Sequence, residues 1–562
     1  MTLRAGLIAA LAITLGACGR RERFDVVLTN GWVIDGTGNP RYRADVAVRD
    51  DRIVAIGRLP EARARRRIDA TGLVVAPGFI DMLGWSEINI LADGRAVSKI
   101  TQGITTEVTG EGTSVAPQTP ATVAQDAEFN ASLGVTVDWV DLNGYFRRLG
   151  EAGSAINIAS FVGATQVRRI VLGDADRSPN GEELAAMVAL VDSAMMQGAL
   201  GVSSSLVYAP AFYATTPELV ALVRAARRHG GVYATHLRNE GAGFDEALDE
   251  ALEIAATAEI PVEIWHLKRA GRENWGDMPR VLARIDAARA NGIDVTANVY
   301  PYQASATDLA ASIPQWAHEG GTDALLARLQ DPVTRARIRR ELARPPAGVE
   351  SFFAGAGGEA GVLVAGVLAD SLKYLEGKTI QSIAALWGVD PIDALLDLAI
   401  KDHGNTGAIY FSMSEEDVRA AVAYPWTSFC TDFGAVAPDG VLSRDKVHPR
   451  VYGSFPRVLG RYVRQRGLLR LEDAIRKMTS LPAQRVGLSD RGLLRPGFAA
   501  DIAVFDPDAV IDRASFEDPH QVSAGVRYVL VNGTLVLDDG ALTEARPGRG
   551  LRGPGWIGGE GR

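Results

Sequence analysis

From Phe24 the chain reads DVVLTNGWVIDGTGNPRYRADVAVRDDRIVAIG, short apolar runs broken by Asn-Gly, Gly-Thr-Gly and Asp-Asp. Alternation interrupted by such turn residues predicts a small β-meander. The same texture returns in ADIAVFDPDAVIDR and VRYVLVNGTLVLDDG. Residues 24–75 and 491–545 are therefore expected to form two halves of one β-domain. Between them the period changes. The runs VVAPGFIDM, GITTEVTG, AINIASFVG, ALGVSSS, GVYATH, PVEIWH, IDVTANVY and WTSFCTD alternate with amphipathic stretches such as PELVALVRAARRH and FDEALDEALEIAATA. Strands separated by helices predict parallel β/α units, and eight of them close a TIM-type (β/α)8 barrel. The expected class is α/β, with the barrel over 76–490. Spacing is regular except between the seventh and eighth strands, where about 303–423 is too long for one crossover and predicts an insertion. The Gly-rich tail, within 546–562, is expected to be loosely ordered.

The first residues, MTLRAGLIAALAITLGACGRR, place Arg4 ahead of a short apolar run and small residues, the layout of an export signal. The run is too short to span a bilayer. Leu15-Gly16-Ala17-Cys18 resembles the lipobox of bacterial lipoproteins, so residues 1–18 are expected to be a lipoprotein-type signal peptide. Cys18 would then anchor the chain at the periplasmic face of a bacterial membrane. Only Cys430 remains beyond it, which leaves no disulfide framework. Of 562 residues 47% are hydrophobic and 23% charged, which excludes general disorder, and a net charge of -9 argues against a nucleic-acid binder. One basic run, Arg63 to Arg67, is expected to be a solvated loop.

The chain has seven histidines. His236 in YATHLRNEG and His266 in VEIWHLKRAG end the fifth and sixth predicted strands, where two neutral imidazoles can converge on Zn²⁺. Asp432 in FCTDFGA ends the eighth and faces the same cavity as a candidate general acid/base.

The frame TNGWVIDGTG, ATGLVVAPGFID, QGITTEVTG, YATHLRNEG, WHLKRAGRENWGD, NVYPY, TD, HPRVYGSFPRVLGRYV and IRKMTSLPAQRVGL resembles the N-acyl-D-amino-acid deacylase (D-aminoacylase) family of the amidohydrolase superfamily. That resemblance implies a TIM barrel with a β-sandwich from both chain ends, and zinc-dependent hydrolysis of the amide bond of N-acyl-D-amino acids. It also implies metal ligands at His236 and His266, and Asp432 as the proton-transfer group. The third ligand of the family is a cysteine in a motif like TGNCG. This chain has Thr109-Gly110-Glu111-Gly112, so Glu111 is the expected replacement. Binders of the substrate carboxylate match Lys268, Arg450 and either Tyr300 or Tyr302, with Tyr208 as a weaker candidate for the pocket wall.

One departure matters. After PGFID the superfamily has His-x-His, whose spacing turns both rings to one face of a strand. Here Leu83 and Trp85 fill those positions, and neither binds a cation. Two readings follow. The chain is an enzyme with one zinc on Glu111, His236 and His266, or a noncatalytic ligand-binding relative that keeps the carboxylate-gripping residues. Within the enzyme reading, a dipeptide, a lactam or an N-acyl-L-amino acid remains an alternative substrate.

Overall fold

The computed structural model describes residues 23–60 and 62–558, so the expected signal segment and Cys18 lie outside the described residues. Strands from both chain ends lie in one sheet of nine. Val74–Pro77 is the seam, parallel to Arg23–Val33 on one edge and antiparallel to Ile502–Phe505 on the other. The sheet then curls on itself: Ile53 N donates to Phe498 O at 2.9 Å and Ala500 N to Asp51 O at 2.8 Å. Val26, Leu28, Val46, Val48, Ile502, Val504 and Leu530 are buried inside the curl. The strands of the two ends therefore form one folded sheet, because the seam strand pairs on both sides.

The basic run is a strand rather than a loop. Arg63–Asp69 pairs in parallel with Arg23–Val33, its arginines stay in solvent, and Arg66 meets Asp538 at 2.9 Å. Backbone pairing at a sheet edge holds a segment whose side chains alone give no reason to order.

The middle of the chain supplies parallel strands. Phe79–Asp81, Ile104–Thr109 and Asn157–Ser160 pair in that order. Val162–Gly163 resumes the third strand and is followed by Gly201–Ser205, Val232–His236, Val262–Ile264, Val295–Val299 and Thr427–Phe429. Met82 N donates to Phe429 O at 3.2 Å and Asp432 N to Leu83 O at 2.9 Å, joining the last strand to the first. Val108, Ala159, Phe161, Ala234 and Trp265 fill the space the strands enclose. Between the last two of these strands sit three antiparallel ones, Ser305–Asp308, Val362–Gly366 and Gly407–Tyr410, with helices around a separate core that includes Leu325, Leu342, Leu395 and Leu398.

Through residue 558, the last described residue, the glycine-rich tail is docked, not loose. Gly548 N donates to Ser154 O at 2.7 Å and Leu551 N to Ile158 O at 2.8 Å, and Leu551 is buried. Glycine lets the backbone come this close, since a Cβ at 548 would stand 2.0 Å from Ile156 O. Among the described residues no helix is long and apolar enough to cross a membrane.

Candidate active site

His236 is the last residue of Val232–His236, and His266 follows Val262–Ile264 by two positions. Glu111 follows Ile104–Thr109 across Gly110, whose φ of +92° and close approach to Phe161 O admit no side chain. His266 and Asp432 also hold left-handed backbone, with φ of +36° and +49°. Such strain persists where neighbours fix the residue, and at His266 the Asn298 side chain accepts from the backbone N–H at 2.9 Å.

These turns bring three groups together. Glu111 Oε1 is 2.9 Å from His236 Nδ1 and 3.2 Å from His266 Nε2, and all three side chains are buried. Among the described residues this is the one His/Cys/Asp/Glu group whose ligand atoms all lie within 4.8 Å of one another. Burial pushes the Glu111 carboxyl up, but the facing imidazoles outweigh it and hold it below the usual range. Burial pulls His236 down, yet Glu240 and Glu111 lift it to about 9. The donors therefore form a compact anionic and imidazole set suited to Zn²⁺.

Asp432 is linked to this group through Arg450 and Tyr300, whose ring lies 6.3 Å from that of His266. Its Oδ2 is 2.8 Å from Arg450 Nη1 and its Oδ1 is 3.3 Å from Trp85 Nε1. The Arg450 guanidinium lies over the Tyr300 ring at 4.5 Å. The Tyr300 hydroxyl and Arg450 Nε are buried without a hydrogen-bond partner among the described residues. Tyr208 sets its ring edge against His236 at 5.3 Å and stacks on Phe352 of the insertion at 6.4 Å. Tyr302 is placed behind the site, its hydroxyl donating to Pro449 O at 3.3 Å and its ring carrying Arg457. Lys268 is committed to protein partners, 2.6 and 2.7 Å from the two oxygens of Glu240.

Leu83 is fully buried and Trp85 is 38% exposed at the rim. Beneath them lies a second buried charge cluster. Lys99 Nζ is 2.8 Å from Asp81 Oδ2, 3.0 Å from Glu107 Oε2, 2.6 Å from Thr431 Oγ1 and 2.7 Å from Phe433 O, with no exposure. Glu107 in turn accepts from the Ser86 N–H and hydroxyl. Sequence reasoning missed Lys99, Glu107 and Glu240. The available signals were a glutamate inside the buried strand ITTEVT and a glutamate four residues after His236.

The amidohydrolase family model matches residues 66–537. The chain belongs to the amidohydrolase family. This amidohydrolase is 38% identical over 533 residues to an N-acyl-D-glutamate deacylase of Alcaligenes xylosoxydans xylosoxydans, covering 95% of this chain and 97% of that one. It is 36% identical over 531 residues to a D-aminoacylase of the same organism, covering 94% and 98%. A crystal structure of N-acyl-D-glutamate deacylase from Bordetella bronchiseptica, complexed with zinc and a phosphonate mimic of the tetrahedral intermediate, superposes with a TM-score of 0.79 at 36% identity, covering 94% of this chain and all of that one. A D-aminoacylase structure described by one-metal activation and second-metal attenuation of a binuclear centre gives 0.77 at 36% identity, with 94% and 100% covered.

Proposed function

We propose that this amidohydrolase hydrolyses the amide bond of N-acyl-D-amino acids with a single zinc held by Glu111, His236 and His266. The observation that carries the reading is the convergence of those three side chains within 4.8 Å beside Asp432. In this reading the ring of parallel strands is a TIM-type (β/α)8 barrel, and the folded nine-stranded sheet is the β-sandwich built from both ends. The lipobox-like Leu15-Gly16-Ala17-Cys18 supports an exported, lipid-anchored protein.

Bound there, zinc would lower the pKa of a water and polarise the scissile carbonyl. Asp432 takes the proton at a carboxylate oxygen and later delivers it to the leaving amine. Arg450 and Trp85 hold that carboxylate in place from two sides. Arg450 Nε and the Tyr300 hydroxyl, both buried donors without partners, are free to receive the substrate carboxylate. Because Lys268 is paired with both oxygens of Glu240, it offers the substrate no free charged donor. Tyr208 and Phe352 form an aromatic wall beside His236.

The test is zinc analysis beside a panel of N-acyl-D- and N-acyl-L-amino acids. About one zinc per chain, with D-selective turnover lost in Glu111→Ala, is expected. Zinc-loaded protein that cleaves none of the panel would overturn the reading.

A further inference from the structure

Each imidazole of the site turns one nitrogen toward Glu111 and the other away from it. The two outward nitrogens meet the same carboxylate. His236 Nε2 is 3.3 Å from Glu240 Oε2, and His266 Nδ1 is 3.1 Å from Glu240 Oε1. Glu240 is 2% exposed and its backbone is pinned on both sides. The Glu240 N–H donates to Glu350 Oε2 at 2.6 Å, and the Glu240 carbonyl accepts from Ala270 N at 2.8 Å.

We infer that Glu240 is a positioning residue for the metal centre, one carboxylate set against the outward ring nitrogens of both histidine ligands. The inference rests on the zinc reading above. A neutral imidazole offers a lone pair at one nitrogen only while its proton sits on the other, and a buried ring N–H needs an acceptor. Two ligand histidines ordinarily need two acceptors. Here the two oxygens of one side chain are divided between the rings, whose centroids lie 4.3 Å apart at 81°. Neither contact is an aligned hydrogen bond, since His236 Nε2 has no partner among the described residues and His266 Nδ1 meets Lys268 Nζ, so charge and proximity carry the arrangement at both rings.

Lys268 competes at His266, where Nζ is 2.7 Å from Nδ1. A donor at Nδ1 leaves the ring proton on Nε2, the nitrogen that faces Glu111. An acceptor at Nδ1 does the reverse and frees Nε2 for a cation. Glu240 both supplies that acceptor and draws the Lys268 ammonium onto itself, so it decides which nitrogen of His266 faces inward with a lone pair.

The experiment is zinc affinity of the full chain by chelator competition, with Tm of the metal-free protein measured alongside. Glu240→Gln keeps the shape but sets an amide N–H against one of the rings. It is expected to weaken zinc binding about tenfold or more in protein that is still folded, with the metal-free Tm lowered because the buried Lys268 ammonium loses its counter-ion. Glu240→Asp keeps the charge but is too short to serve both rings, and is expected to weaken binding likewise, which covers the case of a Gln variant that does not fold. Lys268→Met is expected to leave zinc affinity unchanged or tightened. Wild-type affinity in a folded Glu240 variant would overturn the inference, as would a loss in Lys268→Met equal to that in Glu240→Gln. A wild-type chain that binds no zinc would instead remove the metal reading itself.

Discussion

Arg450 Nη1 lies 2.8 Å from Asp432 Oδ2, so the guanidinium that is offered to substrate also braces the carboxylate that handles the proton. Asp432→Asn keeps the size of the side chain and its contacts to Trp85, but removes the proton acceptor. The expected result is a fall in kcat of about 10²–10⁴ with zinc content unchanged, read by steady-state kinetics and metal analysis on the same preparation. A variant with wild-type kcat would take Asp432 out of proton transfer.

Trp85 and Leu83 bear on metal stoichiometry. Leu83 is buried against the ring interior and the Trp85 indole is bound to Asp432, so the rim offers no pair of imidazoles for a second ion. Titrating the one-zinc enzyme with excess zinc is expected to leave kcat unchanged, in contrast to the second-metal attenuation described for the D-aminoacylase. Inhibition that saturates with a second bound zinc would contradict this.

The ring strands were legible because each is a short apolar run followed by a turn, and His236 and His266 were legible as strand-end imidazoles. Glu111 could be placed only by resemblance, since a lone glutamate in Thr-Gly-Glu-Gly carries no chemical signal until Gly110 turns it toward two rings. The edge strand Arg63–Asp69 and the docked tail at Leu551 were not legible at all. Both are held by backbone pairing with distant segments, and hydropathy does not record backbone pairing. Lys99 was hidden for the opposite reason, since its partners Asp81, Glu107 and Thr431 come from three separate strands or their ends.

Lys99→Met tests that buried cluster. Burial opposes the ammonium, but Asp81 and Glu107 outweigh it and hold it charged. Removing it leaves two buried carboxylates without their counter-ion. The expected cost is about 3–5 kcal/mol, seen as a lower Tm in the metal-free chain. A Tm equal to wild type would mean that the carboxylates take up protons at no cost.

Glu350 ties the insertion to the site and carries a pH dependence. Burial first, and the Glu240 carboxylate second, raise it from the ordinary 4.5 to about 7. Between those values the folded chain keeps a proton that the unfolded chain has released, so stability falls as pH rises through the window and levels off above about 7. Glu350→Gln removes the titration. Metal-free variant and wild type should then differ least below pH 4.5 and most near pH 8, the variant being the more stable, as followed by Tm across pH. A difference that does not change with pH would rule Glu350 out as the cause.

The seam strand Val74–Pro77 sets the order of assembly in time. Its partner Ile502–Phe505 is made only some four hundred residues later. Until then the opening strands have an unfilled edge, and Phe79–Asp81, which follows directly, must itself wait for Thr427–Phe429. Such distant pairings form late because loop closure must precede them. A chain cut short before residue 502 would leave one edge of Val74–Pro77 unpaired, and an exposed strand edge of that kind favours aggregation until its partner is made.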